Sequence, residues 1–211
     1  MTFLSVSITA LVGGLLALFI IGAAFWLLIN KSHTPQHKKH TKPIPVPLSN
    51  AKFVPAVKAI LDEGRPFVTF SVEGNSMRPF LESRRDCVAL AKADAIRVGD
   101  VVLAEIRPKH YVLHRVIIRD EDDLVLKGDG NVKGIETCTV EHVVAKAVAF
   151  YRKGRRRPDQ VNHWKWRTYS WFWMRTIWMR RYFLAAYRRI WLRLFPVKIK
   201  DFVYDKTPPK L

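Results

Sequence analysis

A serine in a tight turn, a histidine on a strand and an aspartate in a glycine-flanked loop are the parts of a serine hydrolase. This chain carries all three. Ser76 lies in Gly74-Asn75-Ser76-Met77-Arg78-Pro79, His114 in Val112-Leu113-His114-Arg115-Val116, and Asp129 in Lys127-Gly128-Asp129-Gly130-Asn131. Glycine and asparagine tolerate unusual backbone dihedrals and proline fixes the exit angle, so the first stretch can present a hydroxyl at the tip of a turn. An imidazole titrates near neutral pH without special tuning, which suits a general base. The neighbouring Arg115 cannot lose a proton at usable pH. Asp129 would accept a hydrogen bond from the imidazole and fix its tautomer. Such sets are defined by role and geometry, so their order along the chain is no objection. Each residue also has a plain reading: a serine in a β-turn, a histidine satisfied among Val112, Val116 and Ile118 on one strand face, and an aspartate bonding its own turn amides.

With Val98-Gly99-Asp100-Val101-Val102 added, the four segments resemble the S26 signal peptidases and their S24 relatives, the repressor-type self-cleaving proteases. The match is to the branch with histidine as base, and it spans residues 66 to 150. The resemblance implies a β-rich fold and a serine-type endopeptidase with Ser76 as nucleophile, His114 as base and Asp129 as third member. It further implies a peptide or protein substrate with small side chains near the cut, and no cofactor or metal. Two positions depart from the family. Where many members carry a serine that donates to the oxyanion, this chain has Gly74, so an oxyanion hole must rest mainly on backbone donors. Where endoplasmic-reticulum members continue into a pair of aspartates, this chain reads Val132-Lys133-Gly134-Ile135-Glu136, which makes Glu136 the alternative acid. Asp100 belongs to a turn that the family uses structurally. These departures keep a second reading open, a catalytically degenerate peptidase-like module used for membrane binding or as a scaffold. A self-cleaving repressor is disfavoured, because position 114 is not lysine and no amino-terminal pair of DNA-binding helices precedes the domain.

The elements that would position these residues are legible as pattern. Phe53, Val54, Val57, Ile60 and Leu61 recur at helical spacing, with Gly64 where a C-terminal cap belongs. Strands rich in β-branched and aromatic residues follow at Phe67–Val72, Cys87–Leu90, Val101–Ile106, Tyr111–Ile118, Leu124–Leu126 and Val143–Phe150. Turn chemistry separates them at 84–86, 98–100, 108–109, 120–123 and 128–134. Short strands with turns at this spacing predict a mainly β domain, an antiparallel β-barrel over residues 51–151. Cys87 and Cys138 are too few for a disulfide framework and lie in no metal-ligand spacing, so both read as free thiols, one of them buried.

Charge divides the chain further. Of the net +18, residues 51–151 contribute nothing, with 15 Lys/Arg against 15 Asp/Glu, whereas residues 152–193 carry +12. Thr2 to Asn30 has no charged side chain and exceeds the ~20 apolar residues that span a bilayer. It lacks the basic n-region and small-residue cleavage site of a signal peptide, so residues 1–30 read as a single-pass transmembrane anchor. Residues 31–50 read as a basic, proline-rich linker; His33, His37 and His40 within it fall on no common ligand pattern. Lysines after the span point to a cytoplasmic domain, whereas the resemblance points to the opposite side.

Residues 152–211 form a basic, tryptophan-rich tail, with six of the seven tryptophans between 164 and 195. On a wheel at 100° per residue, Phe172, Met179, Phe183, Leu184, Tyr187, Ile190, Trp191 and Leu194 share one face. Arg175, Arg181, Arg188, Arg189 and Arg193 share the other, with Trp178 and Arg180 out of place. A basic amphipathic helix of this kind predicts contact with an anionic membrane lipid surface. The alternative is a helix docked on the β domain, its arginines solvated. Nucleic acid ranks last as a partner, given the anchor.

Overall fold

A computed structural model describes residues 50–153 and 157–196. The expected anchor, the expected linker up to residue 49, and residues 154–156 and 197–211 of the tail lie outside these residues. Helix α1 spans Asn50–Asp62 and buries Val54, Val57 and Leu61, while Ile60 is exposed. It ends on Gly64, whose φ of +88° is a conformation that glycine adopts without a Cβ penalty. Gly64 N donates to Leu61 O at 3.2 Å and Arg65 N to Ile60 O at 3.4 Å, the paired bonds of a Schellman stop.

The strands are β1 Val68–Ser71, β2 Cys87–Ala91, β3 Val101–Arg107, β4 His110–Asp120, β5 Asp123–Lys127, β6 Glu136–Thr139, β7 Val143–Tyr151 and β8 Asp159–Gln160. They form one antiparallel sheet in the order β1-β2-β7-β3-β4-β5-β6, with β8 added to β7. The expected antiparallel β content is present, but the sheet does not close into a barrel. Its two ends, β1 and β6, have four residues each and do not pair with one another. Part of the apolar surface is instead covered by the tail. Trp166 packs on Phe150 of β7 with ring centroids 4.5 Å apart, and on Phe80 at 4.6 Å.

Strand β4 is the element that matters most for the site, because it is buried on both faces at its centre. Val116 lies with Val102, Leu124 and Leu126 in one apolar cluster, against which Val112 packs. Ile118, expected on the same face, is 55% exposed, since the β4–β5 register shifts between Val116 and Ile118 and breaks the period of two. Cys87 and Cys138 are free, Cys87 buried. Burial, with Asp86 nearby, pushes the Cys87 thiol up to about 12, so it stays protonated.

The tail is part of the same compact unit as the sheet. After β8 come α2, Trp164–Arg175, a 3₁₀ turn at Ile177–Met179, α3, Arg180–Ala186, a π-helical turn at Tyr187–Trp191, and a last helical turn at Leu192–Leu194. Thr176 Oγ1 bonds Phe172 O at 2.8 Å and its backbone leaves helical geometry there, so α2 and α3 are not one straight rod. Phe183 reaches back to within 6.0 Å of Phe172 and 6.3 Å of Trp173 between ring centroids. Among the described residues no helix is long and apolar enough to cross a membrane.

Candidate active site

His114 is buried at the centre of β4, opposite Val102 of β3. Its Nδ1 lies 2.9 Å from Glu136 Oε2. A carboxylate only accepts, so Nδ1 carries the hydrogen and Nε2 is left as the basic nitrogen. Glu136 opens β6 opposite Leu126 of β5, and Leu126 stands opposite Val116 of β4, so the strand registry carries the acid to the imidazole. Burial is the largest influence on His114 and lowers its pKa below 6.5, with Glu136 and then Asp129 pulling it back up. The imidazole is therefore neutral at neutral pH, as a base must be.

Asp129, expected to bond the imidazole, is engaged elsewhere. Its Oδ1 accepts from Arg115 Nε at 2.8 Å and its Oδ2 from Arg115 Nη2 at 2.6 Å, with Tyr169 O–H a further donor at 3.4 Å. The planar fork of a guanidinium fits a carboxylate at two points, and both groups are buried. Glu136, the alternative acid, takes the place on Nδ1.

The loop that holds Asp129 also packs against the backbone carbonyl of Ser76. Gly130 N donates to Ser76 O at 2.6 Å. A Cβ built on Gly128 would lie 2.5 Å from Ser76 O and 3.0 Å from His114 Nε2, so the serine turn and the basic nitrogen converge on Gly128. A Cβ on Gly130 would lie 2.6 Å from Asn75 O. Gly-Asp-Gly is thus demanded by close backbone approach on both sides of the aspartate. Ser76 itself is half-buried, in a turn closed by Arg78 N to Asn75 O at 3.2 Å. Gly74 has a φ of +91° and gives its N–H to Ser83 Oγ at 3.1 Å, so that amide is already engaged. Asp100 accepts from Arg97 N at 2.9 Å and caps its turn.

The residues that brace this arrangement carry little signal in the sequence. Arg115 donates through Nη1 to Gly99 O at 2.8 Å and Ser170 Oγ at 2.6 Å, and its guanidinium lies 4.7 Å from the Trp166 ring centroid. Arg180, 2% exposed, donates through Nη1 to Gly128 O at 3.2 Å; its Nε and Nη2 find no acceptor among the described residues. Burial lowers its pKa from the usual arginine value, with Asp129 acting in the opposite direction. Beneath the serine turn, Arg78 Nη2 pairs with buried Glu82 at 2.8 Å, and the Tyr187 hydroxyl bonds the other oxygen of Glu82. Ser170, Arg180 and Tyr187 all come from the tail. The one signal that could have found any of them was Arg180, a cation on the apolar side of the helical wheel.

Among the described residues no group of three or more His, Cys, Asp or Glu could hold a metal ion. No family model, curated protein or solved structure matches the chain.

Proposed function

We propose that this chain is a membrane-anchored serine endopeptidase of the S24/S26, signal-peptidase-like type. The observation that carries the reading is the buried, neutral His114, oriented through Nδ1 by Glu136 and turned through Nε2 towards Gly128 and the Ser76 turn. In this reading Ser76 Oγ attacks a peptide carbonyl and His114 Nε2 takes its proton, later returning it to the leaving amine. Glu136 stabilises the imidazolium that forms, and Arg115–Asp129 fixes the loop on which the two converge. The oxyanion falls to backbone amides of the serine turn other than Gly74, whose N–H is held by Ser83. Residues 1–30 would supply the anchor.

The test uses the full-length protein in lipid nanodiscs. Peptide libraries are screened for cleavage by mass spectrometry, and a fluorophosphonate probe reports serine labelling. Cleavage and labelling at Ser76 are expected, both lost in Ser76→Ala and in His114→Ala with fold and membrane association retained. Cleavage that persists in Ser76→Ala would overturn the proposal. Absence of both cleavage and labelling in the parent protein would favour the degenerate module, the reading that Gly74 supports.

A further inference from the structure

The tail docks on the sheet, and docking leaves exposed a different face from the one a helical wheel selects. Met179 and Leu184, from the wheel's apolar face, are buried against the protein, and Phe172, Phe183, Tyr187 and Trp191 are half-buried. Among the large aromatic side chains left in solvent are Trp164 at 63% exposure, Trp171 at 61%, Trp178 at 71% and Tyr182 at 55%. Trp164 and Trp171 stand seven residues apart, on one face of α2. Trp178 is in the turn that follows.

Arginines are interleaved with them. Exposed Arg167, Arg175 and Arg181 alternate along the chain with the three tryptophans. Arg175 lies 5.8 Å from the Trp171 ring centroid, Arg181 4.5 Å from that of Tyr182 and Lys165 6.0 Å from that of Trp164. From Gln160 to Pro196 the sequence contains no aspartate or glutamate, so this segment contributes cations and no carboxylate. Further along, Ile177, Ile190, Leu194 and Phe195 are also exposed.

We propose that Trp164, Trp171 and Trp178, with Arg167, Arg175 and Arg181, form a docking surface for an anionic membrane interface. Indoles and arginines suit the boundary between headgroups and acyl chains, where an apolar body and a polar tip are both satisfied. Exposed isoleucine and leucine on the same segment fit an acyl boundary better than a nucleic acid strand, which offers stacking faces and phosphates. The uncharged run from Thr2 to Asn30 would keep the chain at such a surface. The proposal is independent of any chemistry at Ser76.

The test takes the full-length protein in nanodiscs of phosphatidylcholine, with or without phosphatidylglycerol, and reads quenching of tryptophan fluorescence by brominated phosphatidylcholine. Trp26 contributes equally to every variant. In anionic discs the parent is expected to be quenched well beyond a Trp164→Ser/Trp171→Ser/Trp178→Ser variant, whose substituted positions are exposed and do not hold the fold. The excess is expected to shrink in neutral discs and in high salt, since exposed charges are screened over about 10 Å at 0.1 M. Arg167→Gln/Arg175→Gln/Arg181→Gln is expected to lose the dependence on phosphatidylglycerol, each arginine removed weakening attraction to the anionic surface by about fivefold. Equal quenching of parent and tryptophan variant would overturn the proposal, as would equal quenching of the parent in neutral and anionic discs. Retention of a labelled single-stranded oligonucleotide through the same three tryptophans, without lipid quenching, would replace the membrane with a nucleic acid.

Discussion

His114 and Arg115 are neighbours on β4, point to opposite faces of the sheet, and each holds one carboxylate. The two pairs are built differently. Arg115 and Asp129 are both fully buried, bonded at two points and wrapped by Gly99, Ser170, Tyr169 and Trp166. His114 and Glu136 share one hydrogen bond, and Glu136 keeps 24% of its side chain in solvent. The first pair contains a cation that cannot titrate in any working range. The second contains a group whose proton can come and go, beside an acid within reach of water. One strand therefore carries an ion pair that fixes geometry next to a pair able to move a proton, and alternation of side chains keeps them apart.

Replacing Glu136 separates the two roles most sharply. In Glu136→Gln the imidazole keeps an acceptor on Nδ1 but loses the charge that would stabilise its protonated form. Peptide hydrolysis by the full-length protein is expected to fall by about 10²–10⁴, the usual range for general acid–base assistance. Glu136 raises the His114 pKa, so its neutralisation should also move the acid limb of kcat/KM to lower pH. Thermal stability should change little. A variant with parent-like kinetics would return the orienting role to Asp129.

Asp129→Asn should do the reverse. Removing one partner of a buried ion pair leaves the other charge uncompensated, which typically costs about 3–5 kcal/mol. A drop of that size in the unfolding free energy of the detergent-solubilised chain is expected, with activity failing because the loop under Ser76 loosens. Arg115→Met combined with Asp129→Leu should recover part of the stability, since buried ion pairs are often replaceable by apolar groups of similar volume. No recovery would mean that the pair's hydrogen bonds to Gly99, Ser170 and Tyr169 dominate.

How much of this was open to the sequence follows from which signals are local. The strands around Val88, Val102, Val116 and Val148 announce themselves by composition, and the turns between them by residues that now show positive φ, such as Arg84, Gly99, Lys109 and Glu121. Strand β6 was missed because Glu136-Thr137-Cys138-Thr139 has no large apolar residue and adjoins a glycine-rich turn. With β6 unseen, nothing in the pattern could carry Glu136 to Nδ1, whereas Asp129 stood in the more familiar motif. Pattern reading also assumes that arginine faces water, and it fails for Arg115 and Arg180, whose burial is arranged by partners 14 and 52 residues away. The helical wheel fails for a related reason. A single 100° period over residues 164–195 assumes one unbroken helix, but the helix breaks at Thr176, so the phase before the break does not carry past it. Trp178 and Arg180, which spoiled the wheel, mark that break.

The smallest effect tests the His114 pair by itself. Burial holds His114 below its ordinary 6.5 against the pull of Glu136 and Asp129. Between that lowered value and 6.5, the unfolded chain binds more protons than the native one, so stability rises with pH through this window. Above 6.5 both states hold the imidazole neutral and the contribution is flat. As pH falls from 6.5 through the native value, stability is lost at a rate of up to about 1.4 kcal/mol per pH unit. Arg115, whose pKa is raised in the native state by Asp129 against the effect of burial, stays charged throughout and adds no slope. Urea midpoints of the full-length chain, followed from about pH 8 down to about pH 5, should therefore decline more steeply than those of His114→Gln, which cannot titrate. Parallel declines would mean that His114 meets water freely in the native state, and the distinction between a proton-moving pair and a fixed one would lose its basis.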